Sequence, residues 1–205
     1  MISHLKHCLS FIACLGISAP TQAVWDIVAW DPPLVYDGQT RSLMYQPIAE
    51  ASQPWHLCVT YPHLKDPYWL SVNYGMVEEV KRLGVNMRVL EAGGYPQLAT
   101  QVDQLRHCVD AVSDAIIVGT VSFNGLSPSI RTIAKTTPVI AAVNDIANVG
   151  ISAKAGVSWY SMGKKVGQYL AQRHPTKGNN EAKVAWFPGP KESGWVGFIN
   201  DGFHD

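Results

Sequence analysis

The 205-residue sequence is poor in charge, with 16 basic residues balancing 16 acidic ones and no long run of either sign. The electrostatic footprint that nucleic acids or acidic membranes demand is therefore missing. Apart from one short stretch near the start, no apolar run approaches the roughly 20 residues of a membrane-spanning helix. The seven histidines are scattered, with neither HExxH nor other metal spacing. No Gly-x-Ser-x-Gly marks a nucleophile, and the pair Gly93-Gly94 lacks the Gly-Lys-Ser or Gly-x-Gly-x-x-Gly company of a phosphate loop. Catalysis thus has no positive signal, and neither a metal nor a cofactor is called for.

What is present is a chain with 47% hydrophobic residues, long enough for one large domain or for one lobe and part of another. Lys6 and His7 precede an apolar stretch from Cys8 to Ser18, then the small residues of Ala19-Pro20-Thr21-Gln22-Ala23. Residues 1–23 read as a cleavable export signal, against a buried N-terminal helix as the plain alternative. A mature chain starting near Val24 keeps two of the four cysteines, Cys58 and Cys108, in an oxidising compartment.

Residues 24–52 have no sustained period and read as an irregular extension or a short edge hairpin. Regular patterning follows. Trp55–Tyr61 is a short apolar strand, and apolar residues at 69, 72, 76, 80 and 83 share a helix face. Asn86–Glu91 is the next strand, and Leu98, Val102, Leu105 and Val109 mark a second amphipathic helix. Then come the buried strand 115–119, a helix 126–134, a strand 138–143, a weaker strand 149–159 and a helix 160–172. Alternation of this kind predicts an α/β fold, a parallel sheet flanked by helices, for residues 53–173. Residues 174–181 read as a polar linker. Lys183–Phe187 and Trp195–Phe203 read as one strand and one helix opening a second lobe over 182–205. In the strand order 2-1-3, the connection from second to third strand crosses the first. The helix carrying Cys108 then lies over the strand carrying Cys58, so a disulfide is geometrically plausible; two reduced, buried thiols are the alternative.

Ligands of such sheets sit beyond the carboxyl ends of the strands. Asp66-Pro67 there is explained as a helix start, Asp capping and Pro at the first helical position. Tyr68 and Trp69 just inside the helix, with Tyr74 further on, are left over and offer flat apolar faces with one donor each. Neighbours on a helix point about 100° apart, so core packing is an alternative for one of the pair. Trp159-Tyr160 ends the last strand of the lobe and supplies a second aromatic wall, or caps the sheet. Tyr95, after Gly93-Gly94, is a rim residue.

The blocks Leu64–Met76, Val89–Tyr95 and Gln97–Gln101 closely resemble the trimethylamine N-oxide receptors of the type I periplasmic binding protein family. That resemblance implies two α/β lobes around a cleft, no enzymatic activity, a small-molecule ligand and the periplasmic domain of a membrane sensor histidine kinase as partner. It carries Asp66, Tyr68, Trp69 and Trp159 over as ligand residues, with Tyr74 beside them. Ribose-type members hold an aromatic pair where Tyr68 and Trp69 fall, but a sugar-binding Asp near Trp159. An indole there argues against a sugar and suits a methylated amine oxide, whose positive methyls are drawn to aromatic faces. Members continue until the second lobe is complete, so this sequence is expected to be a fragment or a truncated form. Other classes weighed are a sugar or signal-molecule importer's binding component, a secreted enzyme, and a DNA-binding regulator of the same fold.

Overall fold

In the computed structural model, residues 24–34, 39–175 and 182–205 are described. The expected export signal at 1–23 and most of the expected linker, 176–181, lie outside them. The first strands, β1 (Trp25–Asp31) and β2 (Gln39–Tyr45), pair antiparallel as a separate hairpin. Of the two forms expected for 24–52, the hairpin is the one observed.

The remaining strands form one parallel sheet. Its members are β3 (His56–Tyr61), β4 (Asn86–Glu91), β5 (Ala115–Val118), β6 (Val139–Val143) and β7 (Ala153–Gly156), in the order β4-β3-β5-β6-β7. The predicted 2-1-3 order is therefore present. Alternate residues of β3 point to opposite faces, as the pleat requires. Cys58 joins a core under α2 (Leu98–Asp110) and α3 (Ser127–Ile133), with Leu105, Ile116, Ile130 and Val139. Val59 and Tyr61 join the core on the other face, under α1 (Pro67–Leu83), with Val72, Met76 and Ile117. Both faces of β3 are thus covered, which is why it reads as a continuous apolar run.

Cys58 and Cys108 are joined by a disulfide, with Cα atoms 5.7 Å apart. Both are fully buried, and the bond pins α2 across β3. Gly84 ends α1 in the left-handed conformation, φ 65°, where glycine carries no Cβ penalty.

Two expectations give way. The weak strand over 149–159 shortens to β7, and α4 (Trp159–Arg173) starts at Trp159, where the Ser158 hydroxyl caps it by accepting from Ser161 N–H. Lys183–Phe187 forms no strand: residues 182–190 carry no regular structure. A strand requires a ladder partner, and none of the described strands pairs with this segment. The helix beyond it, α5 (Val196–His204), does form, and its extensive contact is with α4. The two backbones touch where side chains are missing: a Cβ at Gly163 would stand 2.0 Å from Ile199 O, and one at Gly202 would stand 1.9 Å from Tyr160 O.

Candidate functional site

The aromatic residues converge at the carboxyl ends of β3, β5 and β6. Asp66 caps α1, its Oδ1 accepting from the Trp69 backbone N–H at 2.9 Å, with Pro67 in the first turn. Its second oxygen lies 3.6 Å from His63 Nε2. Both carboxylate oxygens are thus engaged by the helix start and its loop, so capping is the role that the geometry gives Asp66 directly.

The pair Tyr68 and Trp69 divides as helical geometry demands. Trp69 is only 2% exposed and lies in the core against Tyr61, ring centroids 5.3 Å apart. It lies over Gly119 at the end of β5, where an added Cβ would stand 2.5 Å from the indole. Tyr68 is 43% exposed and meets Trp159 at 6.4 Å. Tyr74 is not brought to this place. Six residues of helix turn it about 240° from Tyr68, and it stands 67% exposed on the outer side of α1.

Trp159 packs against the α1-side core and donates its indole N–H to Val143 O at 3.2 Å. Val143 meets that demand with φ 69°, a strained value for a β-branched residue, at the last position of β6. Strain of this kind concentrates at binding sites and here it aims a carbonyl.

Three residues have a larger part than their sequence context indicated. Tyr95, expected only at the rim, sits at the centre. Its hydroxyl accepts from Trp69 Nε1 at 3.1 Å and from Asn144 Nδ2 at 3.4 Å. Both lone pairs are committed, so its own proton is left to donate elsewhere. Burial raises the pKa of Tyr95 and of Tyr68, which keeps both phenols protonated donors. Asn144, 1% exposed, is fixed by donating to Thr120 O at 2.8 Å. Its signal in the sequence was available: it is the first polar residue after a wholly apolar strand, at the ligand-binding end of the sheet. Trp195 stands 4.6 Å from Tyr95 and 5.8 Å from Trp159, centroid to centroid. Its signal resembled that of Tyr68 and Trp159, an aromatic at the mouth of a helix.

The loops beneath are held by Gln101, fully buried. It donates to Gly119 O at 2.8 Å and accepts from Val121 N–H at 2.9 Å, satisfying groups that burial would otherwise leave unpaired. Every indole N–H at the site is consumed internally, with Trp195 donating to Pro188 O at 3.0 Å. The indoles therefore offer π faces rather than donors, and the hydroxyls of Tyr95 and Tyr68 supply the O–H donors at the site. Among the described residues no cluster of His, Cys, Asp or Glu could hold a metal ion, and no helix is long and apolar enough to cross a membrane.

Residues 54–205 match the family described as periplasmic binding proteins and sugar binding domain of LacI family. The chain belongs to this family. This periplasmic binding protein is 40% identical over 170 residues to periplasmic protein TorT of Escherichia coli K12, covering 82% of the chain and 48% of the relative. Among solved structures it resembles an ABC transporter solute binding protein from Bradyrhizobium sp. BTAi1 with bound bis-tris, with TM-score 0.73 and 49% identity. That match covers 88% of this chain and 54% of the other. It also resembles the complex of the TorS sensor domain with TorT in the presence of TMAO, with TM-score 0.61 and 43% identity over 73% of this chain and 51% of that one. The chain spans about half the length of these relatives.

Proposed function

We propose that this periplasmic binding protein is a receptor for methylated amine oxides, trimethylamine N-oxide above all, exported to the periplasm by residues 1–23 and read out by the periplasmic domain of a TorS-like sensor histidine kinase. One observation carries the ligand: the rings of Tyr68, Trp159, Trp195 and Tyr95 run in one chain of contacts that ends on Tyr95, whose hydroxyl accepts twice and so has its proton to give. An amine oxide matches both features. Its methyl groups carry positive charge toward the faces, each contact contributing on the order of 0.5–2 kcal/mol, and its oxygen is a strong acceptor for one O–H. Trp69 serves from below by fixing Tyr95, and Asp66 by fixing the start of α1. The kinase follows from likeness to TorT, which has been crystallised with the TorS sensor domain both without ligand and with TMAO. Signalling then requires that ligand favour one receptor conformation over another.

In this reading α4 and α5 open the second lobe together. We take the boundary at Val157–Ser158 rather than at the expected 174–181, on the ground that the extensive packing of α4 is against α5.

A second reading, the binding component of an importer, is favoured by the Bradyrhizobium structure. Its bound bis-tris is a tertiary amine bearing hydroxyls, which an aromatic cage also suits. A sugar fits less well, because hydroxyls need several polar partners and Trp159 presents a face.

Calorimetry with trimethylamine N-oxide, glycine betaine and ribose separates these readings. Tyr95→Phe is expected to weaken N-oxide binding roughly 10- to 150-fold, the worth of a hydrogen bond to a charged acceptor. Tetramethylammonium, which has no oxygen, should be unaffected by it. Binding of ribose with no response to the N-oxide would overturn the receptor reading.

A further inference from the structure

Three successive residues at the end of β6 each hold a different side of the site. Val143 O accepts the indole N–H of Trp159, and Asn144 donates to Thr120 O and to the Tyr95 hydroxyl. The Asp145 backbone lies against Gly194, where an added Cβ would overlap its carbonyl, so it seats the loop that leads into α5. The turn that places these groups is an unfavourable one. Asn144 N–H donates back to Ala142 O at 2.9 Å across Val143, whose φ is 69°. A turn closed in this way over a positive φ is rare and strained, the more so for a β-branched residue. Such strain persists only where the surroundings over-determine it.

The side chain of Asp145 shows what does so. It is 7% exposed and forms an ion pair with the ammonium of Lys154, whose side chain is 11% exposed and reaches it from β7. Space is kept for this approach. Val143 and Gly156 are register partners across β6 and β7, and a Cβ at Gly156 would stand 2.9 Å from Val143 O and 3.4 Å from Lys154 Cε. Stability alone does not explain a buried ion pair, because apolar residues of similar volume in its place are often as stable or more so. We propose that the Lys154–Asp145 pair is a positioning clamp, which ties the strained turn Val143–Asp145 to β7 and so pre-sets Trp159, Tyr95 and the Gly194 loop for ligand. Lys154 and Asp145 act through these neighbours, and the ligand half of the inference rests on the amine-oxide reading of the site.

The test replaces the pair in the whole 205-residue chain, singly with Lys154→Met and together with Lys154→Met, Asp145→Leu. Calorimetry with trimethylamine N-oxide reads the site and thermal midpoints read the fold. The indole N–H signal of Trp159, identified by its loss in Trp159→Phe, reads the turn. The single variant strands a buried carboxylate and should melt lower, whereas the double variant should regain the parent's midpoint. Affinity is not expected to return with it. Both variants should bind the N-oxide roughly 5- to 150-fold more weakly, the cost of restoring one strained residue on binding. In both, the Trp159 signal should shift and its N–H exchange faster. Parent-like affinity or a parent-like Trp159 signal in the double variant would overturn the proposal, since the turn would then hold without the pair. A double variant that did not fold would overturn it as well, making the pair a support of the lobe rather than of the turn. If the parent bound no N-oxide while Trp159 responded as expected, the amine-oxide reading would fail and the clamp would stand.

Discussion

Tyr61 shows what a single residue at the floor of the site contributes. It is fully buried beneath Trp69, its hydroxyl facing Met76 Sδ at 2.9 Å, and burial pushes its pKa up to about 12. An unfolded tyrosine ionises near 10. Between pH 10 and 12 the folded chain therefore holds a proton that the unfolded chain has released, so stability is fully present below 10 and falls as pH rises through 12. Tyr61→Phe should flatten that fall, which denaturant titrations of both proteins across pH 9–11.5 measure directly. An identical slope in the variant would show that the phenol is solvated in the folded state. Residue roles were only partly legible before the fold. That Tyr68 and Trp69 must diverge followed from helix geometry, but which of them faces the core depends on the space above Gly119, and a glycine at a strand end does not announce what covers it. Tyr74 stands apart for the same reason in reverse: an aromatic two turns into a helix shares a site with the first turn only when its angle agrees, and this one points elsewhere.

At the scale of elements, the packing of α2 on β3 is reinforced by the Cys58–Cys108 disulfide, which closes a loop of sequence separation 50. In the chain-entropy account such a closure stabilises by about 4 kcal/mol, by limiting the unfolded ensemble. The double variant Cys58→Ala, Cys108→Ala should lower unfolding free energy by about that amount, plus a smaller loss from the buried sulfurs. The same protein without substitution should show no free thiol from this pair after denaturation under non-reducing conditions. Detection of two reactive thiols there would mean that the pair is reduced in the isolated protein. The elements themselves were written plainly in the sequence, since continuous apolar strands alternating with amphipathic helices have few other solutions than a covered parallel sheet. Lys183–Phe187 was the exception, because an apolar run reports a burial preference and says nothing about whether a neighbouring strand exists to complete its hydrogen bonds.

For the whole molecule, the decisive relation is between the sheet with α1–α3 and the pair α4–α5. They meet at the aromatic site and at a second place beyond it, where Phe123 packs edge-to-face on Phe198 at 5.8 Å and the Phe123 N–H donates to Glu192 O at 3.2 Å. The pair itself depends on close backbone approach, with Gly202 against the Tyr160 carbonyl. Gly202→Ala inserts a Cβ 1.9 Å from that oxygen, so the helices must separate, and overpacking of this kind costs on the order of 1–3 kcal/mol. If the sheet and the pair are separately packed units, that cost stays within the pair. Hydrogen exchange in the variant should then quicken through α4 and α5 while the amides of β3, β5 and β6 keep their protection. N-oxide affinity should fall too, because Trp195 is placed by a segment that leads directly into α5. Uniformly faster exchange across the sheet would show instead that the sheet and the helix pair unfold as one cooperative body and that no lobe boundary lies at Val157–Ser158.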